Sequence, residues 1–190
     1  MNPRFLLLAV VSADGFIARR QEHPPWEWAS SEEQARFRAT MAEISWSVLG
    51  RVTHETAHRP ERKRIVFTSS VKGVAWLTPN HLGFNPAGAT FDQALETAKP
   101  EGLAAILGGT RVHDYMLEIG RVDELRLSIE PLRFGEGLPM FAGVAWVGLD
   151  DHLARHGMVR VGEDERLNDG GTVERRYRKL PATTASKPAR

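Results

Sequence analysis

Two glycine turns hold the residue types that could bind an anion. They are Gly50-Arg51-Val52-Thr53-His54-Glu55 and Gly108-Gly109-Thr110-Arg111-Val112. Each follows a short apolar run, Ser47-Val48-Leu49 in one case and Ala104-Ala105-Ile106-Leu107 in the other, and each opens a segment that can be helical. A helix N-terminus offers unpaired backbone N–H groups and the positive end of the peptide dipoles. Glycine just before it lets a ligand approach the backbone. One such turn says little; two in a small chain point to a ligand with two phosphate groups, such as a dinucleotide. Thr68-Ser69-Ser70 closes a third apolar run, with Lys72 beside it.

Two other patterns could carry chemistry. His54-Glu55-Thr56-Ala57-His58 is a literal H-E-x-x-H. On a helix its histidines share a face and could ligate zinc, with Glu55 as base and His81 or His113 completing the site. The reading of that helix as two turns stopped at Pro60 argues against a zinc hydrolase. Ser30-Ser31-Glu32-Glu33 is a capping box, in which Ser30 caps a helix and Glu33 bonds back to its amide.

The elements around these residues alternate. Strands are expected over 5–12, 46–49, 64–68, 103–107 and 124–129, and helices over 31–45, 51–58, 91–98 and 111–119. Residues 71–90 carry Gly73, Pro79, Gly83, Pro86 and Gly88 and read as mostly loop. Residues 152–162 and 172–180 read as two strands joined through Asn168-Asp169-Gly170-Gly171. The expectation is one α/β domain over 1–180, with a mostly parallel twisted sheet and an antiparallel C-terminal hairpin. Residues 181–190, small, polar and proline-bearing, read as a disordered tail. The 190 residues include 25 basic, 24 acidic and no cysteine, so disulfide and thiolate chemistry are excluded. The near-neutral balance argues against a nucleic-acid partner. The run Phe5–Val11 is too short to span a membrane and lacks a signal-peptide pattern, so a cytoplasmic location is expected. The Glu136–Trp146 segment is a candidate homodimer surface, with internal packing as the simpler reading.

These motifs, in this order, resemble the dihydrofolate reductase-like superfamily from about residue 4 to residue 180. The later ones, Val122-Asp123-Glu124-Leu125 and Pro131-Leu132-Arg133-Phe134-Gly135-Glu136-Gly137, most resemble the reductase domain of the riboflavin-biosynthesis deaminase-reductases. The resemblance implies a three-layer α/β/α fold and NADPH as cofactor. It assigns Gly50, Arg51, Thr53, Thr68, Ser69, Ser70, Gly108, Gly109, Thr110 and Arg111 to cofactor binding, with Thr68–Ser70 near the adenosine 2′-phosphate. Ser12-Ala13-Asp14-Gly15-Phe16-Ile17-Ala18 resembles the loop that closes over the nicotinamide, with Asp14 ordering it. Glu33 matches the substrate carboxylate and Ser128 its hydroxyl partner. Trp28 and Phe37 match the substrate walls, and Arg62 the arginine that holds a folate carboxylate. The implied substrate is a small nitrogen heterocycle. An aminopyrimidine of the riboflavin pathway (5-amino-6-ribosylaminouracil phosphate type) comes first and dihydrofolate second. Three positions depart from these patterns. Leu107 and Ala42 replace the riboflavin branch's expected glutamate and arginine, and His113 replaces the tyrosine common in dihydrofolate reductases. A nucleotide-binding protein without catalysis is the remaining alternative.

Overall fold

A computed structural model describes residues 3–181, so the expected tail lies outside the described residues apart from Pro181. The strands in chain order are β1 (Arg4–Ser12), β2 (Phe16–Ala18), β3 (Trp46–Gly50), β4 (Arg64–Phe67), β5 (Val74–Thr78), β6 (His81–Phe84), β7 (Leu103–Gly108), β8 (Glu124–Glu130), β9 (Leu138–Pro139), β10 (Met158–Arg160), β11 (Glu165–Arg166) and β12 (Val173–Lys179). The helices are α1 (Ser31–Ala42), α2 (Arg51–Thr56), α3 (Phe91–Ala98), α4 (Thr110–Glu118) and α5 (Leu149–Arg155). The main sheet runs β10-β12-β8-β1-β7-β3-β4-β6-β5, with β11 added on β12. Pairing is parallel from β8 across to β6 and antiparallel toward both edges.

The central strands are apolar on both faces, as a sheet covered on both sides requires. Alternation sorts them. Phe5, Leu7, Ala104, Ile106, Leu125 and Leu127 share one core with Phe91 and Ala94 of α3, Val112, Met116 and Leu117 of α4, and Leu149 and Leu153 of α5. Leu8, Leu103, Ala105 and Leu107 turn to the other face, where Met41 of α1 and Ile44 cover them. The expected α/β/α layering is therefore present. None of the described helices is long and apolar enough to cross a membrane.

Several expected boundaries are corrected. Residues 71–90 hold the hairpin β5–β6 rather than mostly loop. Its β6 residues are all buried, because β6 lies inside the sheet between β4 and β5. Pro79 sits in the turn and Gly83 within the strand, so both turn-forming residues mask the pairing. Residues 152–155 belong to α5, and the C-terminal pairing begins only at Met158. The β2–β9 pair has no counterpart among the expected elements. α1 ends at Ala42 and α2 at Thr56, both short of the expected ends.

Candidate active site at the carboxyl edge of the sheet

β3 and β7 are parallel neighbours, and the two glycine turns follow their carboxyl ends. They touch: a Cβ built on Gly50 would lie 3.8 Å from the Gly108 carbonyl oxygen and 3.9 Å from the Gly109 nitrogen. Gly50 caps α2 and Gly109 caps α4, and neither offers a side chain to the first amides of its helix. Those donors remain for a ligand. Space is open at Gly109, where a Cβ would meet nothing nearer than Ile17 Cδ1 at 3.8 Å. Gly108 is different. Its φ is +87° and a Cβ there would sit 2.6 Å from His113 Nε2, so only glycine fits.

Thr68-Ser69-Ser70 lies at the same edge, since Phe67 ends β4 opposite Gly50. The Thr68 hydroxyl donates to Ser70 Oγ at 3.0 Å and accepts the Ser70 amide at 3.1 Å, which holds the turn. Ser69 and Ser70 are exposed and Thr53 is half-buried. Arg51 is exposed and pairs with Glu55 at 2.7 Å, and Arg111 is exposed. The Thr110 hydroxyl donates to the Pro139 carbonyl at 2.5 Å, so toward an anion it offers only its amide. The donor set is backbone N–H groups, hydroxyls and guanidinium groups, with the nearby Glu55 tied to Arg51. That chemistry fits a ligand carrying phosphates.

The second half of the site sits at the start of α1. Ser30 Oγ accepts the Glu33 amide at 3.3 Å, as expected of an N-cap. The reciprocal bond is absent. Both the Ser30 amide and its hydroxyl donate to Oε1 of Glu130, each at 2.8 Å, and Thr172 Oγ1 donates to Oε2 at 2.8 Å. At α3 the same motif is complete, the Thr90 amide donating to Gln93 Oε1 at 2.8 Å. The capping-box reading of Glu33 is thus corrected: its carboxyl is released from the cap. The carboxyl is buried, and burial together with the neighbouring Glu130 charge pushes it up to about 7. Hydrogen bonding toward Ser128 opposes that shift, Glu174 adds to it and Arg38 reduces it. Ser128 is itself buried, on the face of β8 that α1 covers.

Phe37 stands one helical turn beyond Glu33 and is partly exposed. Trp28 packs edge-on against Phe134 at 5.0 Å and near-parallel to His23 at 6.3 Å. Its Nε1 is buried with no partner among the described residues. Asp14 accepts from Ser12 Oγ at 2.6 Å, the Gly135 amide at 2.8 Å and the Phe134 amide at 3.1 Å. Burial pushes its carboxyl up, but these donors outweigh that and hold it at about 2. With its oxygens so occupied, Asp14 ties two loops together and is not available for proton transfer. The neighbouring Gly15 has φ +88°, and the Trp146 ring lies where its Cβ would be.

Arg62 lies away from Glu33, and the zinc pattern is not assembled. Arg62 donates to the Ile44 carbonyl at 3.4 Å, past the C-terminus of α1, and lines a groove of about 540 Å³ with Ser45, Trp46 and Lys99. The helix between Glu33 and Ala42 alone is about 13 Å long. A compact heterocycle held by Glu33 therefore cannot also reach Arg62. The zinc reading fails on geometry. His58 lies past the end of α2, Glu55 pairs with Arg51, and Arg64 Nη1 is 2.9 Å from His54 Nδ1. His81 does pack at 4.6 Å from His54, yet a guanidinium at the ring nitrogen repels a cation. Among the described residues no group of three His, Cys, Asp or Glu could hold a metal ion.

Glu130 and Thr172 are not among the residues expected at the site, whereas Trp146 packs as expected. No local signal marks Glu130, which stands 100 positions from Ser30.

The RibD C-terminal domain family matches residues 4–164. A riboflavin biosynthesis protein of Shewanella sp. PV-4 superposes with a TM-score of 0.63 at 16% identity, covering 94% of this chain and 99% of that one. A dihydrofolate reductase of Enterococcus faecalis complexed with NADP(H) superposes with a TM-score of 0.64 at 20% identity, covering 94% and 97%. Both share the fold of this chain. Among curated proteins none matches in sequence.

Proposed function

The chain belongs to the RibD C-terminal domain family, and we propose that it is an NADPH-dependent reductase of a small nitrogen heterocycle. The observation that carries this reading is the placement of two uncapped helix N-termini side by side at one sheet edge. Across the α1 face of the same sheet lies a buried carboxyl beside Ser128. The first feature suits the phosphates of a dinucleotide. The second suits the amino-imine edge of a pyrimidine or pterin.

In this reading Arg51, Thr53, Ser69, Ser70 and the amides following Gly50 and Gly109 bind the cofactor. A bound nicotinamide supplies the hydride. Glu33 holds the ring of the substrate and keeps a proton on its carboxyl near neutral pH, where it can be given to the nitrogen of the C=N bond that takes the hydride. Trp28 and Phe37 flank the ring and exclude water. Asp14 fixes the loop that carries Gly15 and Phe16 toward the cleft. The Val122–Leu125 and Pro131–Gly137 motifs favour a ribosylated aminopyrimidine as first substrate, with dihydrofolate second.

The test is NADPH consumption, read from its own absorbance, with each substrate offered separately. Turnover of the aminopyrimidine supports the reading. Turnover of dihydrofolate alone reverses the ranking, and tight NADPH binding without turnover of either favours the non-catalytic alternative.

A further inference from the structure

Glu130 is a nearly fully buried carboxylate that the proposed chemistry does not use. It receives three hydrogen bonds, from the Ser30 amide, the Ser30 hydroxyl and the Thr172 hydroxyl. The two from Ser30 come from the residue that caps the helix bearing Glu33. A Ser-x-x-Glu start ordinarily spends its own glutamate on the cap amide. The α3 start, with Thr90 and Gln93, shows that this chain builds the ordinary arrangement where nothing intervenes.

We propose that Glu130 is a positioning residue for the site: by taking the Ser30 amide and hydroxyl from β8, it releases Glu33 from its own helix cap and leaves that carboxyl beside Ser128. The functional meaning rests on Glu33 being the substrate carboxylate; the positioning itself does not. The arrangement has an electrostatic consequence. The groups facing Glu33 are Glu130 and Ser128 from β8, Glu174 from β12, and Arg38 from its own helix. Glu174 is neutralised by Arg36 at 2.9 Å and Arg176 at 2.7 Å. Glu130 receives only neutral donors, so its charge stays uncompensated next to Glu33 and opposes a second ionisation there. Thr172 anchors the far oxygen of Glu130, and the Thr172 amide is in turn bonded to Asn168 Oδ1 at 3.0 Å, which fixes the network to the β11–β12 turn.

The experiment reads the carboxyl directly, without substrate or cofactor. In carbon-13 glutamate-labelled full-length protein, one carboxyl should titrate near neutrality, and Glu33→Gln should remove that signal and so assign it. In Glu130→Gln, which keeps an acceptor for Ser30 but loses the charge, the Glu33 midpoint should fall by roughly one pH unit. Hydrogen exchange of the Ser30 amide gives a second reading that requires no change at Glu130. In Glu33→Ala the amide should stay as protected as in the wild type, since Glu130 holds it. Loss of Ser30 protection in Glu33→Ala overturns the positioning, and an unchanged Glu33 midpoint in folded Glu130→Gln overturns its electrostatic consequence. Failure of NADPH turnover would count against the proposed function and leave these two readings intact.

Discussion

The Ser30 amide donates to the Glu130 carboxylate at 2.8 Å, across 100 positions of sequence. This one bond separates two roles for Glu33 that the local sequence leaves superimposed. A glutamate three residues after an N-cap serine is a cap by default. Here the cap amide is satisfied from another strand, and Glu33 is left buried, facing Ser128 and raised to about 7.

Burying such a carboxyl costs stability once it ionises. The folded-state value lies above the unfolded one, so its contribution is fully present below pH 4.5 and is lost as pH rises through about 7. Glu33→Gln removes this dependence. Chemical denaturation should show the variant gaining about 2–3 kcal/mol over wild type at pH 8 compared with pH 4.5. Equal gains at both pH values would mean that Glu33 ionises normally.

His113 has the opposite sign. It is fully buried, donates through Nδ1 to the Met140 carbonyl at 3.1 Å, and burial drives its pKa down to about 4. Unfolded histidine takes up a proton below pH 6.5 while the folded ring does not, so stability falls as pH drops from 6.5 toward 4. In His113→Gln the stability at pH 5 should rise by about 2 kcal/mol relative to that at pH 7, compared with wild type. The Glu33 and His113 windows overlap with opposite slopes, so the wild type should be flatter across mild acid than either variant.

Much of the frame is legible in the sequence because its signals are local. β1 and β7 are uninterrupted apolar runs, and glycines mark where β3 and β7 turn into α2 and α4. β6 is hidden because Pro79 and Gly83 carry the composition of a loop, while what makes it a strand is its place between β4 and β5. The end of α5 is hidden because residues 152–155 precede a true strand in one continuous pattern. The site divides the same way. Each glycine turn can be read alone, but that the two touch depends on β3 and β7 being neighbours. Glu130 is invisible to a local reading, because nothing near it in sequence points to Ser30.

Arg51 should matter to cofactor binding once it is drawn from Glu55. The pair is exposed on both sides, so its loss costs the fold little. Calorimetric titration of Arg51→Ala should show NADPH weakened by about 1.5–3 kcal/mol, the value of a charge-assisted hydrogen bond. Wild type should prefer NADPH to NADH, and Glu55→Gln should leave NADPH affinity equal or higher. Unaltered affinity in Arg51→Ala would remove that residue from the site.

Gly108 tolerates no side chain. Gly108→Ala places a Cβ in the left-handed region and against the buried His113 ring. Thermal unfolding should report a loss of at least about 2 kcal/mol. Gly109→Ala, with open space at its Cβ position, should fold nearly as well as wild type and instead bind NADPH more weakly.

In the proposed function, reduction with NADPH depends on Glu33. The most direct measurement is the steady-state rate of NADPH oxidation, followed at about 340 nm, with a ribosylated aminopyrimidine, for wild type and Glu33→Gln side by side. The wild type should turn over at a rate that falls with rising pH as the Glu33 carboxyl loses its proton, and the variant should lose about 100-fold in kcat/KM. Equal rates in the two proteins would contradict that dependence, leaving Glu33 without a part in the chemistry.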